Sequence, residues 1–150
     1  MAYWVIEGLL ATSPRPGYQP GWESNVPREH VEIWVEEKRQ FGVASILCLI
    51  SRDQLPLYER SLPNGLLHFY REVGFEVAHL PTNDGLTEPY TPDQYELAWE
   101  YFTRLPKPVL VHCSAGYDRT GRVVNHILQR LEQHGDRFGL NGFNGHSLRR

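Results

Sequence analysis

Val109-Leu110-Val111-His112-Cys113-Ser114-Ala115-Gly116-Tyr117-Asp118-Arg119-Thr120-Gly121 places three kinds of local structure in a row. The apolar, β-branched start reads as a buried strand running from Pro108 to His112. Residues 113–119 form a short loop of mostly small side chains, and the spacing from about Thr120 to Gln133 predicts a helix. A strand feeding a helix in this way curls successive backbone N–H groups into a concave nest. The helix adds unpaired donors and the positive end of its dipole at the same point. A phosphate-sized anion suits that cradle.

A cysteine at the mouth of the nest has its thiolate stabilised by the same donors, which makes Cys113 a candidate nucleophile at neutral pH. Arg119, six residues on, can fold back and grip two oxygens of an anion, and can stabilise charge that builds up in a transition state. Ser114, Ala115, Gly116, Tyr117 and Asp118 supply the rest of the cradle. Gly116 is expected to let the backbone approach the ligand closely, and Gly121 to let the helix pack against the sheet. The Thr120 hydroxyl can donate to the sulfur when it acts as a leaving group. His112 either hydrogen-bonds the loop and helps to hold the thiolate, or is a satisfied polar group at a strand end. Tyr117 points outward to a ligand or back against the domain; the sequence leaves both open.

Working upstream from this stretch, helices and strands alternate. Thr91-Pro92-Asp93-Gln94 is a helix start with the makings of a capping box, and its helix runs to about Leu105. Residues 75–80 read as a strand and 64–73 as a helix ended by Gly74. Val43 to Ile50 reads as a buried strand behind a helix that begins near Pro27, carries Val31, Trp34, Val35 and Lys38 on related turns, and stops at Gly42. Residues 3–12 suggest a strand or hairpin arm, and 13–21 an irregular loop rich in proline and glycine. The pattern predicts one α/β domain over residues 1–150, a central, largely parallel sheet flanked by helices. Residues 135–150, glycine-rich, read as an extended tail or as helices too short to recognise.

Composition narrows the function. The net charge of −3 over 150 residues disfavours the broad basic footprint of a nucleic-acid binder, while leaving room for a small basic pocket. No apolar run approaches the roughly 20 residues of a membrane span, and the start lacks a secretory pattern, so a cytoplasmic setting is expected. Two cysteines, Cys48 and Cys113, form neither a disulfide framework nor a zinc pattern. The histidines His30, His68, His79, His126 and His134 show no ligand spacing, and Trp34 and Trp99 fall on core-facing helix positions. No metal or cofactor is expected, and oligomeric state is not legible.

His-Cys-x-x-Gly-x-x-Arg-Thr-Gly, matched here at every fixed position from His112 to Gly121, resembles the signature of the protein tyrosine phosphatase superfamily. The Gly8-Leu9-Leu10 start, the Ile46-to-Leu55 strand and turn, and the 81–90 segment look like those of small dual-specificity phosphatases, over about residues 3–134. The resemblance implies hydrolysis of phosphotyrosine, with phosphoserine and phosphothreonine in the wider range, on a phosphorylated protein or a small phosphomonoester. It implies a thiophosphate intermediate on the cysteine, an aspartic acid that protonates the leaving oxygen, and no metal. In the family that acid lies on a mobile loop upstream of the nucleophile. Leu80 to Pro89 occupies this place, and Asp84, 29 residues before Cys113, is the first choice. Asp118 is the rival, since myotubularin-like lipid phosphatases also carry aspartate inside the loop; Glu88 and Asp93 are weaker candidates. Cys48 is a core residue, or, as in some relatives, a partner that traps the oxidised nucleophile. A phosphoinositide, inositol phosphate or RNA 5′-phosphate substrate is the second reading. Ser114, Ala115 and Tyr117 supply no cation beside Arg119, which weighs against such highly charged ligands. A silent phosphate-binding module is the third.

Overall fold

The computed structural model describes residues 1–82, 90–134 and Phe138. Its strands are β1 (Tyr3–Ile6), β2 (Leu10–Ser13), β3 (Ser45–Cys48), β4 (Glu76–His79) and β5 (Val109–His112). The helices are α1 (Arg28–Phe41), α2 (Leu66–Glu72), α3 (Pro92–Arg104) and α4 (Asp118–His134), with a 3-10 turn at Leu55–Tyr58. The sheet order is β1-β2-β5-β3-β4. β5 lies between β2 and β3 and is parallel to both, β4 continues the parallel set, and β1 closes back on β2 as an antiparallel hairpin. The expected α/β architecture is therefore present.

Period-two alternation divides the core between the two faces. Ala11, Ile46, Cys48 and Leu110 pack with Val31, Trp34 and Val35 of α1 and with Leu66, Phe69 and Tyr70 of α2. Leu47, Leu49, Val109 and Val111 pack with Ala98, Trp99 and Phe102 of α3 and with Val123, Ile127 and Leu131 of α4. Both faces of β3 and β5 are covered, so their sequences are apolar except for the buried Ser45 and His112 at their ends, and each fully buried aliphatic side chain contributes roughly 1.5–3 kcal/mol.

Local chemistry sets the ends of the helices. Gly42, at φ 99°, caps α1 in the left-handed region, with its N–H donating to Arg39 O. At α3 the capping box forms: Thr91 Oγ1 accepts from Gln94 N–H at 3.2 Å, and Gln94 Oε1 accepts from Thr91 N–H at 2.8 Å. Lys107 Nζ, 2.6 Å from Phe102 O and 2.7 Å from Leu105 O, satisfies carbonyls at the other end of α3. Lys38, on the buried stripe of α1, is fully covered, with Glu37 2.7 Å away and the Trp34 ring 4.7 Å from its Nζ.

Three expected boundaries move. The strand over 43–50 shortens to Ser45–Cys48, because the Val43 N–H still closes the end of α1 on Lys38 O. The helix expected from 64 begins at Leu66, after Gly65 at φ 88°. The last helix begins at Asp118 rather than Thr120, so Asp118 and Arg119 belong to its first turn. Of the 135–150 tail only Phe138 is described; it packs on Trp99 and Phe102, and the reading of the remainder lies outside the described residues. Among the described residues no helix is long and apolar enough to cross a membrane.

Candidate active site

The loop leaves the sheet at the carboxyl end of its middle strand, where parallel α/β sheets expose their ligand sites. Cys113, immediately after β5, is 2% exposed. The preceding residue ties the loop to the core. His112 Nδ1 is 3.0 Å from Cys113 O, and its Nε2 is 3.0 Å from the Tyr70 hydroxyl. A neutral ring satisfies both contacts, donating at Nδ1 and accepting the Tyr70 proton at Nε2. Burial enforces this state by lowering the His112 pKa to about 4. Trp34 packs edge-on to the ring at 5.4 Å, and its own Nε1–H donates to Pro14 O at 3.0 Å. His112 thus acts on the loop by orientation, as an uncharged group.

The far limb of the loop rests against the end of β2. Gly116 has φ 87°, and a Cβ there would lie 2.9 Å from Ser13 O and 3.0 Å from Pro14 N. Glycine is therefore required here by the protein's own backbone. For Gly121 the expected packing reason is absent: a Cβ would meet nothing within 4 Å among the described residues. Tyr117 is 80% exposed and points outward.

Two arginines flank the loop. Arg119 is 7% exposed, and its Nη1 donates to Thr82 O at 2.9 Å and to Gln54 Oε1 at 3.2 Å. Thr82 Oγ1 donates to Leu49 O at 3.2 Å and lies 2.9 Å from the Tyr90 hydroxyl, so the two ends of the 83–89 segment are tied together beside Arg119. Asp84 and Glu88 fall in that segment and lie outside the described residues. Burial pushes the Tyr90 phenol up to about 12, which keeps it protonated beside the site.

The second arginine was not singled out in the sequence, where residues 13–21 read as an irregular loop that is either a rim of the site or a connector. Arg15 is 3% exposed; its N–H donates to Ser114 O at 2.8 Å and its Nε to Ser114 Oγ at 3.1 Å. A pocket with Tyr18, Trp22 and Glu23 among its walls opens beside this limb.

Thr120 is fully buried, and its Oγ1 has no hydrogen-bond partner among the described residues, so its donor remains available to a group in the cradle. Asp118 Oδ1 accepts from Arg122 Nε at 3.2 Å along the first turn of α4. Asp93 sits in the first turn of α3. Cys48, fully buried, is in register with His112 on the adjacent strand, and burial raises its thiol to about 12. Ser114 and Ala115 complete the cradle between Cys113 and Gly116. No group of His, Cys, Asp and Glu suited to a metal ion occurs among the described residues.

A largely parallel sheet whose middle strand ends in a cysteine loop, with an arginine in the next helical turn, defines an α/β protein with a candidate site at the carboxyl end of that strand. Residues 76–137 match the model of the tyrosine phosphatase family. Among solved structures, the chain is similar to a kinase associated phosphatase whose catalytic-site cysteine was replaced by serine. The identity there is 23%, over 93% of this chain and 70% of that one, with a TM-score of 0.64. It is also similar to a putative phosphatase from Shewanella putrefaciens CN-32, at 18% identity over 99% of this chain and 78% of that one, TM-score 0.59. The PTP-2 phosphatase of Cydia pomonella follows the same fold at 19% identity, covering 88% of this chain and 71% of that one, TM-score 0.57. No curated protein sequence matches. The chain has the fold of these phosphatases, and the stretch from β4 through α4 carries the match to the tyrosine phosphatase family.

Proposed function

We propose that this chain is a cysteine-dependent phosphatase that hydrolyses phosphotyrosine, with phosphoserine and phosphothreonine in its wider range. The observation that carries the reading is the pairing of a nearly covered Cys113 with a covered Arg119 at the two ends of the short segment that joins β5 to α4. Cys113 also packs in the core and Arg119 also ties Thr82 and Gln54, but neither contact calls for a cysteine and an arginine six residues apart.

In the first step Cys113 Sγ attacks phosphorus and the bond to the leaving oxygen breaks, while an aspartic acid protonates that oxygen. In the second, water attacks the thiophosphate, its proton passes to the same carboxylate, and the sulfur leaves as thiolate with phosphate. Arg119 and the N–H groups of the 114–118 loop hold the equatorial oxygens through both steps, and Thr120 Oγ1 donates to the departing sulfur. Asp84 is assigned as the acid. The segment that carries it is entered at Thr82, hydrogen-bonded to Arg119, which supports the choice; Asp118 has one oxygen held by Arg122 and the other buried without a partner among the described residues, so it stays the rival. The substrate is a phosphorylated protein or a small phosphomonoester, the whole chain serves as one phosphatase domain, and the setting is cytoplasmic.

Hydrolysis of an aryl phosphate without added metal tests the proposal. Turnover should vanish in Cys113→Ser, fall about a hundredfold or more in Asp84→Asn, and change little in Asp118→Asn. Damage confined to Asp118→Asn would move the acid into the loop and favour a lipid-phosphatase-like substrate. Phosphate binding without turnover in the wild type would make the chain a reader of phosphate.

A further inference from the structure

Arg15 belongs to neither the Cys113–Arg119 loop nor its helix, yet it is built into the site from behind. Its Nε donates to Ser114 Oγ at 3.1 Å, its Nη1 donates to the Tyr58 hydroxyl at 3.1 Å, and that hydroxyl donates to Pro16 O at 2.6 Å. The Tyr18 and Tyr58 rings lie 5.9 and 6.0 Å from the guanidinium carbon.

Among the described residues no carboxylate pairs with this covered cation. Glu23 shares a pocket with it, but is exposed and accepts from Gln54 Nε2 at 3.1 Å. A buried charge requires a counter-charge, and hydrogen bonds to neutral oxygens alone do not supply one. His112 beside it is neutral. Among the described residues, what remains is the negative charge of the proposed site itself, the Cys113 thiolate or an anion held beside it.

We infer that Arg15 is a positioning residue for the cradle: through Ser114 it fixes one limb of the loop, and its charge is the second positive charge, after Arg119, that favours a bound phosphate. The inference rests on the reading of residues 113–119 as a phosphate site. The fork explains the choice of arginine, since two divergent N–H groups reach Ser114 and Tyr58 at once, which a lysine cannot reproduce. With 3% of its surface exposed, Arg15 acts through the loop and offers no platform for a second phosphate of the substrate.

Calorimetric titration of the wild type and variants with inorganic phosphate tests this, with folding checked by thermal unfolding. Arg15→Met should weaken phosphate about tenfold or more, as expected for removing a close charge. Arg15→Lys should recover affinity to within about threefold while leaving kcat reduced, because the Ser114 contact is lost. Arg15→Gln, neutral but still a donor, replaces the Met variant if that one does not fold. Wild-type affinity in a folded neutral variant would overturn the inference, and so would equal loss in Arg15→Lys and Arg15→Met. Because the readout is binding, a wild type that binds phosphate without hydrolysing esters would overturn the proposed reaction alone.

Discussion

A methyl group at position 116 would collide with the backbone of Ser13 and Pro14, whereas one at position 121 would meet open space among the described residues. Gly116→Ala should therefore cost about 1–3 kcal/mol of stability and at least tenfold in kcat/KM, because both the left-handed φ and the close approach are lost. Gly121→Ala, inside α4, should be neutral in thermal unfolding or raise stability by up to about 1 kcal/mol. The two cysteines also part company. Cys48 is fully covered and its thiol is raised to about 12, so it is inert at neutral pH. Alkylation of the native protein should label Cys113 alone, read by peptide mass spectrometry, and labelling of Cys48 would contradict the packing described. At this scale the sequence was informative about position, placing Cys113 at the end of a buried strand and Arg119 near the start of the following helix. It was uninformative where the partner is distant in the chain: nothing beside Arg15 announces Ser114 or Tyr58, and nothing beside His112 announces Tyr70.

The elements were legible in kind, less so in their ends. Thr91 and Gln94 form the capping box that their spacing predicts, and Thr91→Ala should cost about 1 kcal/mol in urea unfolding while leaving kcat/KM within about twofold, because the cap side chains bond each other and not the loop. A fall in kcat/KM beyond about twofold would mean that α3 positions the site more directly than its contacts suggest. Ends shifted where a neighbouring element competes for the backbone. Val43 serves the α1 cap rather than β3, and α4 starts two residues early, bringing Arg119 into a rigid first turn instead of a loose loop. A helical backbone fixes the direction in which the Arg119 side chain leaves the chain, toward Thr82 and Gln54.

For the molecule as a whole, pH should act through buried neutral histidine. The folded pKa of His112, about 4, lies below its ordinary 6.5, so between these values the unfolded chain binds more protons. Its contribution is fully present above pH 6.5 and is lost as pH falls toward 4, on the order of 3 kcal/mol in all. Urea midpoints measured across this range should fall steeply with acid in the wild type and less steeply in His112→Gln. Burial also lowers the pKa of His79 and His126, which act in the same direction and remain in both proteins. The alternation of strand and helix made the parallel sheet readable in advance, but strand order was not, because placing β5 between β2 and β3 is decided by packing of both sheet faces. Everything proposed for the reaction converges on one bond, between Cys113 sulfur and phosphorus. Rapid acid quenching during turnover of a radiolabelled aryl phosphate, followed by peptide mapping, measures it directly. Transient label on the Cys113 peptide, absent in Cys113→Ser and prolonged in Asp84→Asn, is the predicted result. Steady turnover with no label at any quench time, or label on another residue, would contradict the account.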